Sequence, residues 1–427
     1  MSIRSLGAAA LISAFTMGCD DGSTADNDTL LIFEDAFLES DTRFNLTDAS
    51  VGDPPSVDAE PPAGPDALPT YLPEDGLPVA GDCAPDPMEW AVHGRMYIDE
   101  DNSELSVHTG GFDEGDRPTE IPLRLLGPDG AEDLDTCSDG SYTSSRLTPG
   151  RYLVQIDVPD GQRCTTANCP GRFARAIAEG RSPKMVTFGD SIAVIGEPPM
   201  FPERVRALFS PLADIQNVNV AIGGTTSRDW LPETNAFTSR VLPNLQDADL
   251  IIITIGGNDI VEYIGRIGIP NDIPAAVEGA KAVVRQVVRN VIQTIDAIRE
   301  VNPDVDIAYC LYANYSQATG NAIWGLLNGI LGPDTVGEIL ELARSYFPTD
   351  DPHLILVDMY GAADGLPLHD YLYDELHFND LGQTLYAEEV FETLGGVLIG
   401  PNPLGEDGAS YLGLRRDYGV SPPDVEP

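Results

Sequence analysis

Basic residues are scarce in this sequence. Its 427 residues include 24 lysines and arginines against 69 aspartates and glutamates, so the formal net charge is −45. Surfaces that bind nucleic acid or anionic lipid headgroups need clusters of positive charge. The composition therefore excludes nucleic acid as an expected partner and argues against electrostatic adsorption to a membrane. The acidic excess is explained more simply by solubility, for instance in a saline habitat.

The N-terminal apolar stretch is too short to cross a bilayer as a helix. It runs from Leu6 to Met17, after Arg4, in the arrangement of an export signal over residues 1–19. Its end, Thr16-Met-Gly-Cys19, resembles a bacterial lipoprotein lipobox, which implies lipidation of Cys19. An ordinary signal cleaved near Gly18 is the alternative. In both cases the mature protein is exported, either attached to a membrane only through a lipid on Cys19 or secreted.

Cysteine is also sparse, with five residues beyond Cys19. Cys164 and Cys169 enclose a four-residue loop, which makes a local disulfide plausible, and Cys83 could pair with Cys137. Cys310 lies inside an apolar run and is predicted to be a buried free thiol. No cysteine or histidine grouping has the spacing of a zinc site. We therefore expect no metal and no cofactor.

Composition divides the chain into segments. Residues 20–86 contain seventeen acidic residues, one basic residue and nine prolines, a composition typical of an extended linker. Residues 87–162 hold short runs with strand character between turn residues, which predicts a small all-β domain. A junction follows at 163–181, then a large segment at 182–400. The Gly- and Pro-rich tail at 401–427 is predicted to be disordered.

Two motifs in the predicted β domain resemble a known family. They are Cys137-Ser-Asp-Gly-Ser-Tyr142 and Leu147-Thr-Pro-Gly-Arg-Tyr-Leu-Val-Gln-Ile156. They are similar to the turn and the "leucine, Pro-Gly, Tyr" corner of the carboxypeptidase regulatory-like, or prealbumin-like, β-sandwich family. The resemblance implies a spacer or adhesion module rather than a catalytic domain.

Residues 182–400 alternate strand and helix patterns, which predicts an α/β fold with a mostly parallel sheet. Apolar residues at helical spacing predict a long helix over Ala275–Val301. Ligands in such folds bind beyond the carboxyl ends of the strands. The predicted strands are Met185–Phe188, Val218–Ile222, Leu250–Ile255, Val305–Tyr312 and His353–Val357.

Four short motifs follow predicted strands. In chain order they are Gly189-Asp-Ser191, Gly223-Gly-Thr-Thr226, Gly256-Gly-Asn-Asp259 and Asp374-Glu-Leu-His377. Each motif alone is more simply explained as a helix cap, a loop or a turn. Together, in this order, they resemble the SGNH, or GDSL-type, serine hydrolase family. This resemblance implies a three-layer α/β fold and hydrolysis of carboxylic esters.

The sequence departs from the family pattern at two positions. Ile192 stands where leucine is commoner, and Phe378 stands where proline often follows the histidine. Neither change removes a functional atom. The chain also contains no Gly-x-Ser-x-Gly, which argues against the α/β-hydrolase nucleophile elbow.

The residues of the four motifs suggest a serine hydrolase mechanism. A hydroxyl such as that of Ser191 is a weak nucleophile and needs a base and an orienting carboxylate. Asp374 and His377, three residues apart, could share a face of one helical turn and supply both. The backbone N–H groups of Ser191 and Gly224, with the Asn258 amide, could stabilise an oxyanion.

The substrate is less well defined by the sequence than the reaction. A small-molecule or glycan-linked ester is expected, and the family includes lipases, carboxylesterases, thioesterases and carbohydrate O-acetyl esterases. The apolar stretch Ile323–Leu331 could line an acyl pocket or form a lid, or it could be a packed core helix. The alternative function is a catalytically inactive adhesion or glycan-binding protein at the cell surface. An intact set of Ser191, Asn258, Asp374 and His377 favours the enzyme.

Overall fold

The structure is a computed structural model that describes residues 91–98, 116–145, 147–156 and 158, and most of 171–399. Within that last range, residues 269, 319–321, 349–350 and 352 are not described. The structure also describes the backbone of residues 414–415 and 418–420. The strands are β1 (Val92–Ile98), β2 (Arg117–Pro118), β3 (Leu123–Gly127), β4 (Gly130–Leu134), β5 (Ser141–Thr143), β6 (Gly150–Ile156), β7 (Lys184–Gly189), β8 (Gln216–Asn219), β9 (Leu250–Thr254), β10 (Asp306–Cys310), β11 (Leu354–Val357), β12 (Gly396–Ile399), β13 (Leu414–Arg415) and β14 (Tyr418–Val420). The α-helices are α1 (Arg172–Ala178), α2 (Phe201–Phe209), α3 (Gly257–Ile267), α4 (Ile273–Val301), α5 (Ala322–Leu331), α6 (Pro333–Glu341), α7 (Met359–Ala362) and α8 (Asp380–Thr393).

A five-stranded parallel sheet forms the centre of the larger part, in the order β11-β10-β9-β7-β8. Every residue of β7, β9 and β10 is buried, because helices cover both faces. One face packs against α1, α2 and α8, and the other packs against α4. The arrangement is a three-layer α/β fold, which confirms the predicted fold class.

The predicted elements match the structure with small shifts. Strand β8 ends at Asn219, earlier than predicted, although the N–H groups of Val220 and Ile222 still bond to β7 at 2.8 and 2.9 Å. Helix α4 begins at Ile273, because the Asp272 carboxylate accepts the Ala275 N–H at 3.1 Å and caps the helix. The residues after the Gly189-Asp-Ser191 motif form only a single 3₁₀ turn, Ser191–Ala193.

The N-terminal β region consists of two small sheets that share one core. Strands β2 and β5 pair antiparallel with β1, and β4, β3 and β6 form an antiparallel ladder. Their inward side chains meet in one cluster that includes Met96, Leu125 and Val154. This architecture agrees with a β domain that precedes the α/β part. The predicted resemblance to the prealbumin-like sandwich remains a prediction.

The C-terminal residues differ from the predicted segment boundaries. Strand β12 pairs antiparallel with β6, with Gly396 opposite Leu153, so the end of the 182–400 segment completes a sheet of the β region. Strands β13 and β14, within the tail predicted to be disordered, pair in parallel with β1. Strand pairing with distant residues orders these segments, and composition alone does not reveal such pairing.

Several sequence predictions fall outside the described residues. The signal with Cys19 and the linker at 20–86 belong to this group, as do Cys83, Cys164 and Cys169, so the proposed disulfide pairs remain predictions. Cys310 is a buried free cysteine, as predicted. Within the described part, no helix is both long enough and apolar enough to span a membrane.

Candidate active site

The turn after β7 presents Ser191 at the carboxyl edge of the sheet. Gly189 has φ of +134°, and an added Cβ would collide with the carbonyl oxygen of Thr254 in β9. The Asp190 N–H donates to that same oxygen at 2.7 Å. The chain then turns into the 3₁₀ segment that begins at Ser191, because the Asp190 side chain accepts the Ile192 N–H at 3.1 Å.

Asp190 is a buried acid directly beside Ser191. Its carboxylate also accepts a hydrogen bond from the Tyr312 hydroxyl. Burial raises the pKa of Asp190 to about 7, and the hydrogen bond from Tyr312 and the charge of His377 oppose that rise. Burial and the neighbouring Asp190 charge raise the pKa of Tyr312, so its hydroxyl keeps its proton and acts as the donor.

Tyr312 connects two of the four motifs. It follows β10, and its ring lies so close to Gly257 that a Cβ there would stand 2.8 Å from the ring. One side chain therefore touches both the turn of Asp190 and the start of α3. No local pattern marks Tyr312 in the sequence. Its position just after a strand, at the same sheet edge as the motifs, was the available signal.

Asp374 and His377 form a close pair. The Nδ1 atom of His377 lies 2.7 Å from Oδ2 of Asp374, and the N–H groups of Leu376 and His377 donate to Oδ1, both at 2.8 Å. Burial raises the pKa of Asp374, but the hydrogen bonds from His377 and Leu376 outweigh this effect and lower the pKa overall. The carboxylate is thus ionised at neutral pH and orients the ring.

The segment that carries this pair is a loop and not the predicted helical turn. An isolated antiparallel bridge joins Leu372 to Phe378, and the Tyr373 N–H donates to the His377 carbonyl at 2.7 Å. A tight loop closed by its own ends brings Asp374 and His377 together, so a spacing of three residues does not require a helix here.

The loop from Leu372 to Phe378, which is called the histidine loop below, packs directly against the segment that follows Ser191. The Glu197 N–H donates to the Phe378 carbonyl at 3.1 Å, and a Cβ on Gly196 would collide with the same oxygen. His377 is only 4% exposed. Among the described residues, its Nε2 atom has no hydrogen-bond partner. The structure therefore brings the two segments into contact without a hydrogen bond between Ser191 and His377.

Of the predicted oxyanion residues, Asn258 lines the same cavity as Ser191, and the residue before Gly224, Gly223, lies beside Ser191. A Cβ on Gly223 would stand 3.8 Å from the Ser191 Cβ, and Gly224 adopts φ of +78°. Asn258 is in the first turn of α3, and its Nδ2 donates one hydrogen bond to the Thr225 carbonyl at 2.8 Å. The amide has two hydrogens. The bond to Thr225 orients the side chain and leaves a second donor.

A second polar network, which no pattern in the sequence marks, supports the same motifs. Ser227 donates to the Asp259 carboxylate through both its N–H and its hydroxyl, each at 2.8 Å. The Asn290 amide of α4 donates to the Ser227 hydroxyl at 2.8 Å. Burial raises the pKa of Asp259, and its hydrogen bonds with Ser227 act in the opposite direction. Ser227 is therefore buried and fully engaged.

An apolar cavity opens beside the candidate nucleophile. Its empty volume is about 880 Å³, part of which is open solvent, and Ser191, Asn258 and Leu376 are among its lining residues. Trp324 and Leu327 of α5 also line it, while belonging to the main hydrophobic core. The predicted alternatives for this stretch, pocket wall and core helix, thus both hold. Within the described residues, no group of three potential ligands could hold a metal ion.

The comparison with protein families assigns a class to this part of the chain. Residues 187–385, slightly less than half of the chain, match the model of the GDSL-like Lipase/Acylhydrolase family. This match supports a GDSL-like hydrolase domain that acts on ester bonds in this part of the chain. All four sequence motifs lie within the matched residues. A comparison with curated proteins gives no match.

Solved structures show similarity over about half of the chain. The lipase Lip_vut3 from a goat rumen metagenome is 17% identical, with 50% of this chain and 98% of the lipase covered at a TM-score of 0.41. An extracellular lipase from Streptomyces rimosus is 17% identical, with coverage of 50% and 100% and a TM-score of 0.37. Phospholipase A1 from Streptomyces albidoflavus NA297 is 16% identical, with coverage of 50% and 99% and a TM-score of 0.37.

Proposed function

We propose that the chain is an exported serine esterase or lipase in which Ser191 is the nucleophile, His377 the base and Asp374 the orienting carboxylate. The single observation that carries this assignment is the His377 ring. Its Nδ1 is fixed by Asp374 at 2.7 Å, while its buried Nε2 has no partner among the described residues. A base that awaits a hydroxyl proton requires this state, and catalytic hydrogen bonds often tighten only when substrate binds.

The proposed reaction proceeds through an acyl-enzyme. The Ser191 hydroxyl oxygen attacks the ester carbonyl carbon while its proton passes to Nε2 of His377, and Asp374 stabilises the resulting imidazolium. The tetrahedral intermediate collapses when the C–O bond breaks and the leaving alkoxide takes that proton. Water, deprotonated by His377, then hydrolyses the acyl-enzyme and restores Ser191.

The proposed oxyanion hole contains three donors. They are the N–H groups of Ser191 and Gly224 and the second hydrogen of the Asn258 amide, whose first hydrogen bonds to Thr225. Loss of one such donor costs roughly 3 kcal/mol of transition-state stabilisation in serine hydrolases. We expect Asn258→Ala to lower turnover by about two orders of magnitude while substrate binding changes little.

Covalent labelling tests the nucleophile. A fluorophosphonate probe should label Ser191 alone, and Ser191→Ala should abolish labelling. Ser227 is the matched control, because it lies in the neighbouring motif but its hydroxyl is engaged with Asp259. Peptide mapping that finds the adduct on Ser227 or another serine would refute the assignment. The inactive adhesion protein remains the alternative function, and it would give no labelling and no ester hydrolysis.

Export and anchoring form a separate part of the proposal. The lipobox-like Thr16-Met-Gly-Cys19 and the acidic linker after it support a lipid-anchored enzyme held away from a bacterial membrane. Several acyl chains give stable anchoring, whereas an unmodified terminus gives none. Mass spectrometry should find a diacylglyceryl group on Cys19, and Cys19→Ser should move the protein to the soluble fraction. Wild-type protein that is soluble and unmodified would be a secreted enzyme.

A further inference from the structure

The cavity beside Ser191 has walls made of apolar side chains from four helices. Ile260 and Ile264 come from α3, Val284 from α4, Leu327 from α5 and Leu340 from α6. Walls of this kind favour an apolar ligand, because each methylene removed from water contributes to binding.

The polar atoms of the aromatic wall are already engaged within the protein. The hydroxyls of Tyr309 and Tyr315 donate to backbone carbonyls at 2.8 and 2.7 Å, and the Trp324 Nε1 donates to a third carbonyl at 3.0 Å. The Tyr312 hydroxyl donates to Asp190. Sugar hydroxyls need free donors and acceptors, so this wall does not suit a glycan.

Helix α3 supplies an apolar face that the protein does not fully cover. None of its residues is buried, although Ile260, Val261 and Ile264 are strongly apolar and line the cavity. Ile264 and Ile260 are only partly buried where they pack against two of the hydrophobic clusters. An apolar helix face beside an open cavity is the place where a bound hydrocarbon chain would gain most from leaving water.

The position of His377 indicates which side of the ester enters the cavity. Ser191 and Asn258 line the cavity, whereas His377 is not among its lining residues. The leaving alkoxide must take its proton from Nε2 of His377, so the alcohol group has to lie on the His377 side of Ser191. The acyl group then extends away from the His377 ring and into the cavity, where Leu376 contributes the lining beside this loop.

We therefore infer that the cavity between α3, α4, α5 and α6 binds the acyl chain of esters of medium- or long-chain fatty acids. This inference rests on the proposed function and names its substrate class. Each added methylene that enters the cavity should raise kcat/KM about fourfold. From acetate to octanoate, we expect an increase of at least about a hundredfold, since part of the chain stays near the mouth.

The first test compares p-nitrophenyl esters from acetate to palmitate on the full chain and on two variants that fill the cavity, Ile264→Trp and Leu340→Trp. Both should remove most of the preference for octanoate over acetate. Val301→Trp is the matched control, because Val301 is 39% exposed at the end of α4 and does not line the cavity. This control should keep the wild-type preference, and thermal unfolding should show that all variants are folded.

A second test identifies the side of the ester that enters. Methyl octanoate should be hydrolysed much faster than methyl acetate, while octyl acetate should gain little over methyl acetate. A preference for octyl acetate would assign the cavity to the alcohol group and overturn the inference. A flat profile from acetate to octanoate, with Ser191 still labelled, would overturn it too while leaving the serine hydrolase intact.

A binding measurement separates this inference from the proposed function. Calorimetry on the Ser191→Ala variant should detect methyl octanoate, and Ile264→Trp in the same background should abolish that binding. No catalysis is needed for this readout. If Ser191→Ala binds methyl octanoate while the wild-type protein hydrolyses no ester, the cavity assignment is retained and the hydrolase mechanism is refuted. Turnover of acetate without any binding of the octanoate ester would do the reverse.

Discussion

The two ring nitrogens of His377 have opposite environments. Nδ1 lies 2.7 Å from the Asp374 carboxylate, while Nε2 is buried and unpartnered among the described residues. A buried polar atom without a partner costs free energy, so its persistence is explained best by a function that uses it. In the proposed mechanism, this asymmetry leaves Nε2 as the ring atom that accepts the proton of the Ser191 hydroxyl.

The first prediction follows from this asymmetry. His377→Ala removes the base itself and should lower kcat by about four to six orders of magnitude. Asp374→Asn keeps a hydrogen-bonding group at the same place, damages the orientation of the ring and should cost less. Steady-state kinetics with p-nitrophenyl acetate measures both. Near wild-type turnover in His377→Ala would refute the proposed base.

Asp190 gives a prediction about stability and pH. Burial raises its folded pKa to about 7 from an ordinary value of 3.8, with His377 and Asp259 as the charged neighbours. Below about pH 4 the carboxyl is neutral in both states, and its contribution to stability is fully present. That contribution is lost as pH rises through 7, because ionisation is disfavoured in the folded state.

Asp190→Asn cannot ionise and should escape that loss. Relative to wild type, the variant should gain stability between pH 4.5 and 8, by roughly 4 kcal/mol at most. Urea unfolding at both pH values gives the difference. Asp247→Asn is the control that should show almost no change over this range, because a hydrogen bond from Lys184 lowers the Asp247 pKa, so the carboxylate is ionised in both states above pH 4.5. An Asp190→Asn difference that does not change between pH 4.5 and 8 would show that the carboxyl is ionised in both the folded and the unfolded state over this range, so that its folded pKa is not raised.

The sequence revealed some site residues and concealed others for a physical reason. Ser191, Asp374 and His377 lie in short motifs that follow strands, where the spacing itself carries information. Tyr312 and Asn290 act through contacts with residues far away in the chain, so no local pattern marks them. Their roles became visible only in three dimensions.

At the scale of elements, aromatic side chains hold the histidine loop in place. The Tyr315 hydroxyl donates to the Leu376 carbonyl at 2.7 Å, and the Trp324 Nε1 donates to the Glu375 carbonyl at 3.0 Å. The rings of Tyr315 and Trp324 stack with centroids 4.8 Å apart. The segment from β10 to α5 therefore supports the backbone on which His377 is carried.

Tyr315→Phe tests this support. The variant retains the ring and loses one hydrogen bond to the loop, a contribution of about 1 kcal/mol. We expect kcat to fall about fivefold with KM nearly unchanged, while the fluorophosphonate still labels Ser191. Tyr346→Phe is the control, since the Tyr346 hydroxyl accepts a hydrogen bond from Arg285 outside the cavity. An unchanged kcat in Tyr315→Phe would show that the loop does not depend on this bond.

The sequence predicted elements well where the signal was local. Strands β7, β9 and β10 are short apolar runs buried on both faces, and α4 has a clear helical period. Strands β13 and β14 carry no such signal, because they are ordered by pairing with β1 some three hundred residues earlier in the chain. The loop at Asp374 was predicted as helical because two residues at this spacing can meet in either geometry.

At the scale of the whole molecule, the β region and the hydrolase domain are not separate bodies. All described residues belong to one compact unit. Strand β12, directly after α8, completes the sheet of β6. Leu153 of β6 is fully buried in the main core of the hydrolase domain, in the same cluster as Phe173 and Phe391. A spacer joined only by a flexible linker would show none of these contacts.

Leu153→Ala tests this coupling. A leucine removed from a packed core costs about 2–5 kcal/mol, so the variant should unfold at a lower temperature. If the two parts share one core, thermal unfolding followed by calorimetry should show one transition that moves as a whole, and esterase activity should be lost over that same range. Leu125→Ala, in the core of the β region alone, is the matched control. It should also lower the temperature of the single transition, because the two parts unfold together. Two separate transitions in wild type, with the one that tracks activity insensitive to both substitutions, would show that the β region is an independent spacer.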